Sequence, residues 1–304
     1  MATIGSLHND MIHDAQLDYY GKRLATCSSD KTIKIFEIDG ENHKLVDTLQ
    51  GHDGPVWQLS WAHPKFGSIL ASASYDGKVL IWREDDSSST RAWANIATHA
   101  THTESVNTVQ WAPPELGAVL ICGSSDGSVS VVEFSDDGST NAVSVPAHSG
   151  AVYAVAWAAN AAAAGTVGGA TGATQRFVTG GSDGLIKIWH LDHATSLYTE
   201  ESVLEATSTT GAWIRDIAWA PSVLPKSYLA SASDDGSVLI WTQEQLGQPW
   251  KKTPLTADKF PNAVWRVSWS LSGNVLAVSS GENKISLWKE NLKGGWEQCG
   301  SMEE

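Results

Sequence analysis

Cysteine is scarce in this chain. Cys27, Cys122 and Cys299 lie far apart with no C-x-x-C spacing, so the pattern offers neither a disulfide framework nor a cysteine zinc site, and all three are read as reduced. Positive charge is also short: 20 Lys and Arg face 34 Asp and Glu, a formal net charge of −14. A surface that tracks nucleic-acid phosphates needs clustered cations, as does a polybasic membrane anchor, so both classes are argued against. No apolar run reaches 18 residues, so no spanning helix and no direct membrane insertion is expected. The first residues lack a basic stretch leading into an apolar run, and no N-x-S/T site occurs; neither a secretory leader nor a secreted protein is expected.

Tryptophan, by contrast, is abundant, with 15 in 304 residues, and its spacing exposes a repeat. The segment ILASASYDGKVLIW (69–82) reads as an apolar strand, a tight turn at Asp76 and Gly77, and a second apolar strand. It recurs as RLATCSSDKTIKIF (23–36), VLICGSSDGSVSVV (119–132), RFVTGGSDGLIKIW (176–189), YLASASDDGSVLIW (228–241) and VLAVSSGENKISLW (275–288). The turn acids are Asp30, Asp76, Asp126, Asp183, Asp235 and Glu282, at intervals of 46, 50, 57, 52 and 47 residues. Trp82, Trp189, Trp241 and Trp288 follow their acids by six residues; Phe36 and Val132 hold that slot in the other two copies. An alignable strand precedes each hairpin, as in PVWQLSWA (55–62), and a more polar one follows, as in HKLVDTLQ (43–50).

Four strands per unit of about 40–50 residues, punctuated by Asp-Gly turns, predict an all-β, six-bladed propeller. One domain over 1–304 is expected, with repeats at about 8–50, 51–98, 102–147, 148–206, 207–257 and 258–301. The sixth repeat supplies its own fourth strand, GWEQCGS (295–301), while ATIGSL (2–7) stands where a preceding blade's outermost strand would be. Two outcomes are open: the six blades close on themselves, or the ring stays open and accepts about three strands from another protein.

His8, His52, His102 and His148 stand just before the first strand of four copies. On these residues and the hairpins, the chain resembles the WD-repeat family over nearly its whole length. In that family a His, a strand Ser or Thr, the turn Asp and the Trp form a buried hydrogen-bonded network. The resemblance places His52, Ser72, Asp76 and Trp82 in one such set, and His148, Thr179, Asp183 and Trp189 in another. The third copy has Cys122 and Val132 in place of the hydroxyl and the Trp, so its network is expected to be broken. Phe36 has no ring N–H to donate. The Trp-Asp dipeptide is absent, since Arg83 follows Trp82 and Thr242 follows Trp241.

Other motifs yield to plainer readings. A Ser-His-Asp set invites a hydrolase, but a catalytic triad is needed once and this set recurs; no G-x-S-x-G elbow is present. No enzyme is expected. The pairs His99/His102 and His190/His193 have zinc-like spacing but lack further ligands, so no metal and no cofactor are expected. GTVGGATG (165–172) lacks a following Gly-Lys-Ser/Thr and lies in an Ala/Gly/Thr-rich insert (160–175), read as a mobile surface loop. The acidic stretch 83–91 is read as a solvated linker.

Longer stretches narrow the resemblance. Residues 13–38, 54–82 and 269–292 resemble the Sec-thirteen family, propellers shared by the COPII outer coat and the nuclear-pore Y-shaped complex. That resemblance implies an open six-bladed propeller completed by a seventh blade donated in trans. The implied donors are the α-solenoid coat protein of the COPII outer cage and an α-solenoid nucleoporin of the Y-complex. Subunits of a vacuolar or lysosomal amino-acid-signalling complex are further implied partners. The implied locations are the cytoplasmic side of the endoplasmic reticulum and of COPII vesicles, the nuclear pore and the vacuolar surface. The partner-blade surface is expected at Ala2, Thr3, Ile4, Leu24, Ile33, Ile35, Leu276, Ile285 and Leu287, with strand alternation turning some of these toward resident blades instead. The rival reading is a WD-repeat adaptor that binds peptides on the propeller face, as in a ubiquitin ligase.

Overall fold

The computed structural model describes residues 8–40, 42–85, 92–135, 138–159, 175–206, 211–221, 226–281 and 284–303. Residues 2–7, with Ala2, Thr3 and Ile4, lie outside them. So do Glu282, residues 160–174 of the insert and most of the acidic stretch 83–91. Contacts group the chain into two compact units, Met1–Val145 and Pro146–Glu304.

Each unit holds three four-stranded antiparallel sheets with neighbouring strands in chain order. In the first unit, the first blade is β1 (Ile12–Leu17), β2 (Arg23–Ser28), β3 (Ile33–Asp39) and β4 (Asn42–Leu49). The second blade is β5 (Val56–Trp61), β6 (Ile69–Ser74), β7 (Val79–Glu84) and β8 (Trp93–His99). The third is β9 (Val106–Trp111), β10 (Val119–Ser124), β11 (Ser128–Phe134) and β12 (Thr140–Pro146). In the second unit, the fourth blade is β13 (Val152–Trp157), β14 (Arg176–Gly181), β15 (Leu185–Asp192) and β16 (Leu197–Glu205). The fifth is β17 (Ile214–Trp219), β18 (Ser227–Ser233), β19 (Val238–Gln243) and β20 (Lys251–Pro254). The sixth is β21 (Val264–Trp269), β22 (Val275–Ser280), β23 (Lys284–Glu290) and β24 (Trp296–Glu303). Among the described residues there is no α-helix; Pro64–Phe66 and Pro114–Leu116 form single 3-10 turns. The fold is the six-bladed β-propeller read from the repeat.

The Asp-Gly turns sit between second and third strands, as the spacing predicts. Gly77, Gly127, Gly184 and Gly236 have φ between 75° and 83°, the left-handed region that glycine enters without steric cost. At Gly236 a Cβ would also fall 2.2 Å from the Phe260 carbonyl oxygen, so no other residue fits there.

Strand alternation gives the sheets two apolar faces, and blades bury them against each other. Ala25, Cys27, Ile33 and Ile35 of the first blade pack with Val56, Leu59, Leu70, Leu80 and Trp82 of the second. The second blade's other face, Ala71, Ala73, Val79 and Ile81, packs with Val106, Val109 and Leu120 of the third. In the second unit, Ala230, Ala232, Val238 and Ile240 of the fifth blade pack with Val264, Val267, Leu276 and Val278 of the sixth. Polar groups also cross these seams, where an unpaired backbone N–H would be costly. Asp14 accepts the Leu59 N–H (3.0 Å), Gln58 the Val109 N–H (2.8 Å) and Asp216 the Val267 N–H (2.9 Å).

One irregularity recurs. The first strand of every blade carries an extra residue against its neighbour, at His13, Trp57, Asn107, Tyr153, Arg215 and Trp265. Such a bulge re-aims the side chain it carries.

Candidate functional site

The two sets read from the repeat are assembled as hydrogen-bonded chains. Trp82 Nε1–H donates to Ser72 Oγ (2.9 Å), Ser72 Oγ lies 2.8 Å from His52 Nε2, and His52 Nδ1 lies 2.9 Å from Asp76 Oδ2. In the fourth blade Trp189 Nε1–H donates to Thr179 Oγ1 (3.0 Å), which lies 2.8 Å from His148 Nε2; His148 Nδ1 lies 2.9 Å from Asp183 Oδ1. Donor logic orders the protons. An indole N–H can only donate, so the hydroxyl accepts from it and gives its own proton to His Nε2. The histidine then carries its proton on Nδ1 and donates to the carboxylate. Burial, outweighing the pull of Asp183, lowers the His148 pKa, which fits this neutral ring. Burial works to raise the Asp76 pKa, but hydrogen bonds from His52 and from the Asp53 and Lys78 N–H groups outweigh it and hold it at about 2.

This arrangement has the connectivity of a serine-hydrolase triad but not its accessibility. Ser72 and Thr179 are fully buried, and each hydroxyl oxygen accepts an indole N–H. A nucleophile needs a lone pair facing substrate. The geometry is that of a staple joining the loop before each blade to its hairpin.

The third blade corrects the sequence reading. Its network is rerouted, not broken. Cys122 occupies the second-strand slot, and Ser130, directly opposite on β11, supplies the hydroxyl. His102 Nε2 lies 2.8 Å from Ser130 Oγ and His102 Nδ1 lies 3.1 Å from Asp126 Oδ2. His99 Nε2 reaches the same oxygen at 2.9 Å. Burial, then the neighbouring His102, depresses the His99 pKa to about 4. Burial pushes the Cys122 thiol up to about 12, so this cysteine is a packing residue rather than a reactive one. The sixth blade makes the same exchange: Val278 fills the second-strand slot, and Trp288 Nε1–H donates to Ser286 Oγ at 2.8 Å. In the first blade His8 bridges Thr26 (2.8 Å) and Asp30 (3.0 Å) beside Phe36. In the fifth, Trp241 Nε1–H donates to Ser231 Oγ (3.0 Å) while Lys259 Nζ pairs with Asp235 at 2.5 Å. Ser130, Ser286 and Lys259 were missed at the sequence level. The signal for the two serines was present: where Leu80 and Leu239 stand in blades two and five, the third and sixth copies have Ser.

The residues expected on a partner surface divide. Ile33 and Ile35, each 1% exposed, pack against the second blade, and Leu276, fully buried, packs against the fifth. These three are corrected: alternation turns them to resident neighbours. Leu24 lies on the other face of the first blade. Its counterpart Leu70 is sealed by a preceding blade, whereas Leu24 is only half-buried. On that face Ile12 is 47% exposed, while its counterpart Val56 is 0% exposed. On the sixth blade Ile285 is 40% exposed and Leu287 half-buried, while Val238 and Ile240 in the same places on the fifth blade are 3% and 0% exposed.

Among the described residues, no group of three or more His, Cys, Asp or Glu is placed to hold a metal ion, and no helix is long and apolar enough to cross a membrane. His99 and His102, the zinc-like pair, share a serine instead.

Comparison with known proteins gives six matches to the WD domain, G-beta repeat family, at residues 3–37, 43–83, 93–133, 139–190, 202–242 and 253–289. The chain is 58% identical over 307 residues to the protein transport protein SEC13 of Yarrowia lipolytica, covering the whole of both. It is 59% identical over 306 residues to that of Scheffersomyces stipitis, covering 99% of each. With that of Emericella nidulans it shares 55% identity over 304 residues, covering 98% of this chain and 96% of the relative. Repeat, blade count and full-length similarity converge: the chain belongs to the SEC13 family of WD-repeat proteins.

Proposed function

We propose that this chain is a non-enzymatic scaffold subunit in protein transport, serving in the COPII outer coat between the endoplasmic reticulum and the Golgi. The observation that carries this is the exposure of two blade faces. Ile12 on the first blade and Ile285 on the sixth stand 47% and 40% exposed at places sealed elsewhere in the fold. Exposed apolar blade faces call for a partner. The relatives are protein transport proteins by name, which supports the cellular role.

In this reading an α-solenoid coat protein donates strands that cover these faces in the place of a seventh blade. The partner surface comprises Leu24, Ile285 and Leu287, with Ile12 added. The propeller then stiffens the solenoid without touching lipid, consistent with its net charge of −14. An α-solenoid nucleoporin of the Y-complex and subunits of a vacuolar or lysosomal signalling complex would use the same surface. The chain would accordingly act on the cytoplasmic side of the endoplasmic reticulum, at the nuclear pore and at the vacuolar surface. The test is affinity purification with mass spectrometry. Stoichiometric recovery of α-solenoid proteins, lost in Ile285→Asp, is expected; recovery unchanged in that variant contradicts the assignment.

A further inference from the structure

Polar contacts recur across the seams between blades at two places. The first is on the innermost strand, one residue past the bulge. There Asp14 and Gln58 in the first unit, and Asp216 in the second, accept a backbone N–H of the following blade, at Leu59, Val109 and Val267. The second is where the second strand of one blade starts, beside the end of the third strand of the following blade. In the first unit Arg23 Nη1 lies 2.6 Å from Glu84 Oε2. In the second unit Arg176 Nη2 lies 3.5 Å from Gln243 Oε1, and the Tyr228 hydroxyl donates to Glu290 Oε2 (2.8 Å). The seam of the second and third blades is apolar at this place: Ile69 and Phe134 stand there, and both pack onto its core. A blade thus tells its successor, by two side chains, what to present.

On the unsealed face of the sixth blade these two places are held by Arg266, where the fifth blade has Asp216, and Val275, where it has Tyr228. Both are half-buried. A guanidinium donates hydrogen bonds and cannot accept them. A strand that turned an unmet backbone N–H toward Arg266, as Leu59, Val109 and Val267 do toward their acceptors, would set donor against donor. The fourth blade shows how a seam does without that acceptor. Ala154 has none to give, and the Ile217 N–H is met instead by Asp216 Oδ1 of its own strand (3.0 Å). A side-chain oxygen at the place of Asp216 therefore serves a strand laid on the sixth blade twice: it meets that strand's own N–H and gives Arg266 an acceptor. At the second place Val275 is the counterpart of Ile69 and calls for an apolar residue like Phe134.

Resting on the reading that a partner's strands cover this face, we propose that Arg266 and Val275 determine which strands it accepts. The innermost donated strand carries a side-chain oxygen opposite Arg266, and the third donated strand ends in an apolar residue against Val275. Ile285 and Leu287 supply apolar area that any hydrophobic strand could cover; Arg266 and Val275 supply the choice among such strands.

The test is a double-mutant cycle on the complex of the full chain with the COPII α-solenoid coat protein, with Kd read by biolayer interferometry. Arg266→Ala should weaken binding about tenfold, as loss of a charged hydrogen bond does, and Arg266→Lys, which keeps a donor, by a smaller factor. Alanine in place of the oxygen-bearing residue of the innermost donated strand should weaken binding to the unsubstituted chain about tenfold, but to the Arg266→Ala variant by no more than about twofold, because the same contact is already lost. Val275→Arg should also weaken binding about tenfold, by setting a charge against an apolar residue. Thermal melts confirm that each variant is folded, and Arg266→Gln carries the cycle should the alanine variant not fold. Unchanged affinity in a folded Arg266→Ala variant, or losses that simply add in the cycle, overturns the proposal. Ile285→Asp separates it from the reading beneath it. Binding lost in Ile285→Asp but kept in Arg266→Ala removes the role of Arg266 and leaves the scaffold reading standing; binding kept in Ile285→Asp removes the scaffold reading itself.

Discussion

The hairpins of the fifth and sixth blades follow the same repeat pattern, yet one face differs in kind. Val238 and Ile240 on the fifth blade are sealed; Ile285 and Leu287 at the same places on the sixth are open. The apolar character is kept while the covering neighbour is not. A surface with no partner to meet would gain solubility from a polar residue at Ile285. The pair teaches that the repeat sets a residue's place in its blade, while the neighbouring blade sets whether that place is sealed.

The comparison can be broken most forcefully by placing a charge on each face. Val238→Asp buries a carboxylate with no partner and should cost several kcal/mol, enough to prevent folding or lower the melting temperature steeply. Circular dichroism or a refolding titration would register it; a mild loss would mean that the seam between the fifth and sixth blades is looser than its burial implies. The staples should respond at the next level. Ser72→Ala strands the Trp82 N–H and the His52 ring nitrogen, at a cost of about 1–3 kcal/mol. Ser130→Ala should cost a similar amount if the third blade's network is rerouted. A Ser130→Ala variant as stable as the unsubstituted chain would restore the reading of a broken third network.

Acid should separate the staples by pH window. His99 has its folded pKa depressed to about 4 from 6.5, and that of His148 is also lowered. Between the folded and unfolded values the unfolded chain binds more protons, so stability is fully present above about pH 6.5 and is lost as pH falls toward 4. Asp76, Asp126 and Asp235 are held at about 2. Their contribution is present above the unfolded carboxylate value and is lost as pH falls from there toward 2. Melting temperatures measured across pH 7 to 4 should therefore decline in the unsubstituted chain and decline less in His99→Gln. An identical slope in both would remove His99 from the account. The smallest effect belongs to the open face: Ile285→Asp should change stability by no more than about 0.5 kcal/mol, in contrast to Val238→Asp.

The difference between these sites also explains what was legible in the sequence. Trp82, Asp76 and His52 could be read because the repeat presents the same residue at the same offset several times. Their hydrogen bonds follow from side-chain chemistry once the strands pair. Ser130 and Ser286 escaped because the hydroxyl moved across the hairpin, and only the register that pairs Cys122 with Ser130 and Val278 with Ser286 reveals the exchange. Lys259 escaped because it reaches Asp235 from a loop with no histidine to mark it. The blade faces were legible as apolar but not by direction. Ile33 and Ile285 occupy the same repeat position, yet one meets the next blade and the other meets solvent. Periodicity of two assigns a side chain to a face and is silent on what covers that face.

The most direct test of the unsealed faces is hydrogen–deuterium exchange on the chain alone and with an α-solenoid coat partner. Uptake in β1 and β23 should fall on binding, while β7 and β19, already sealed, should exchange as before. Unchanged uptake in β1 and β23 in a verified complex would contradict the account.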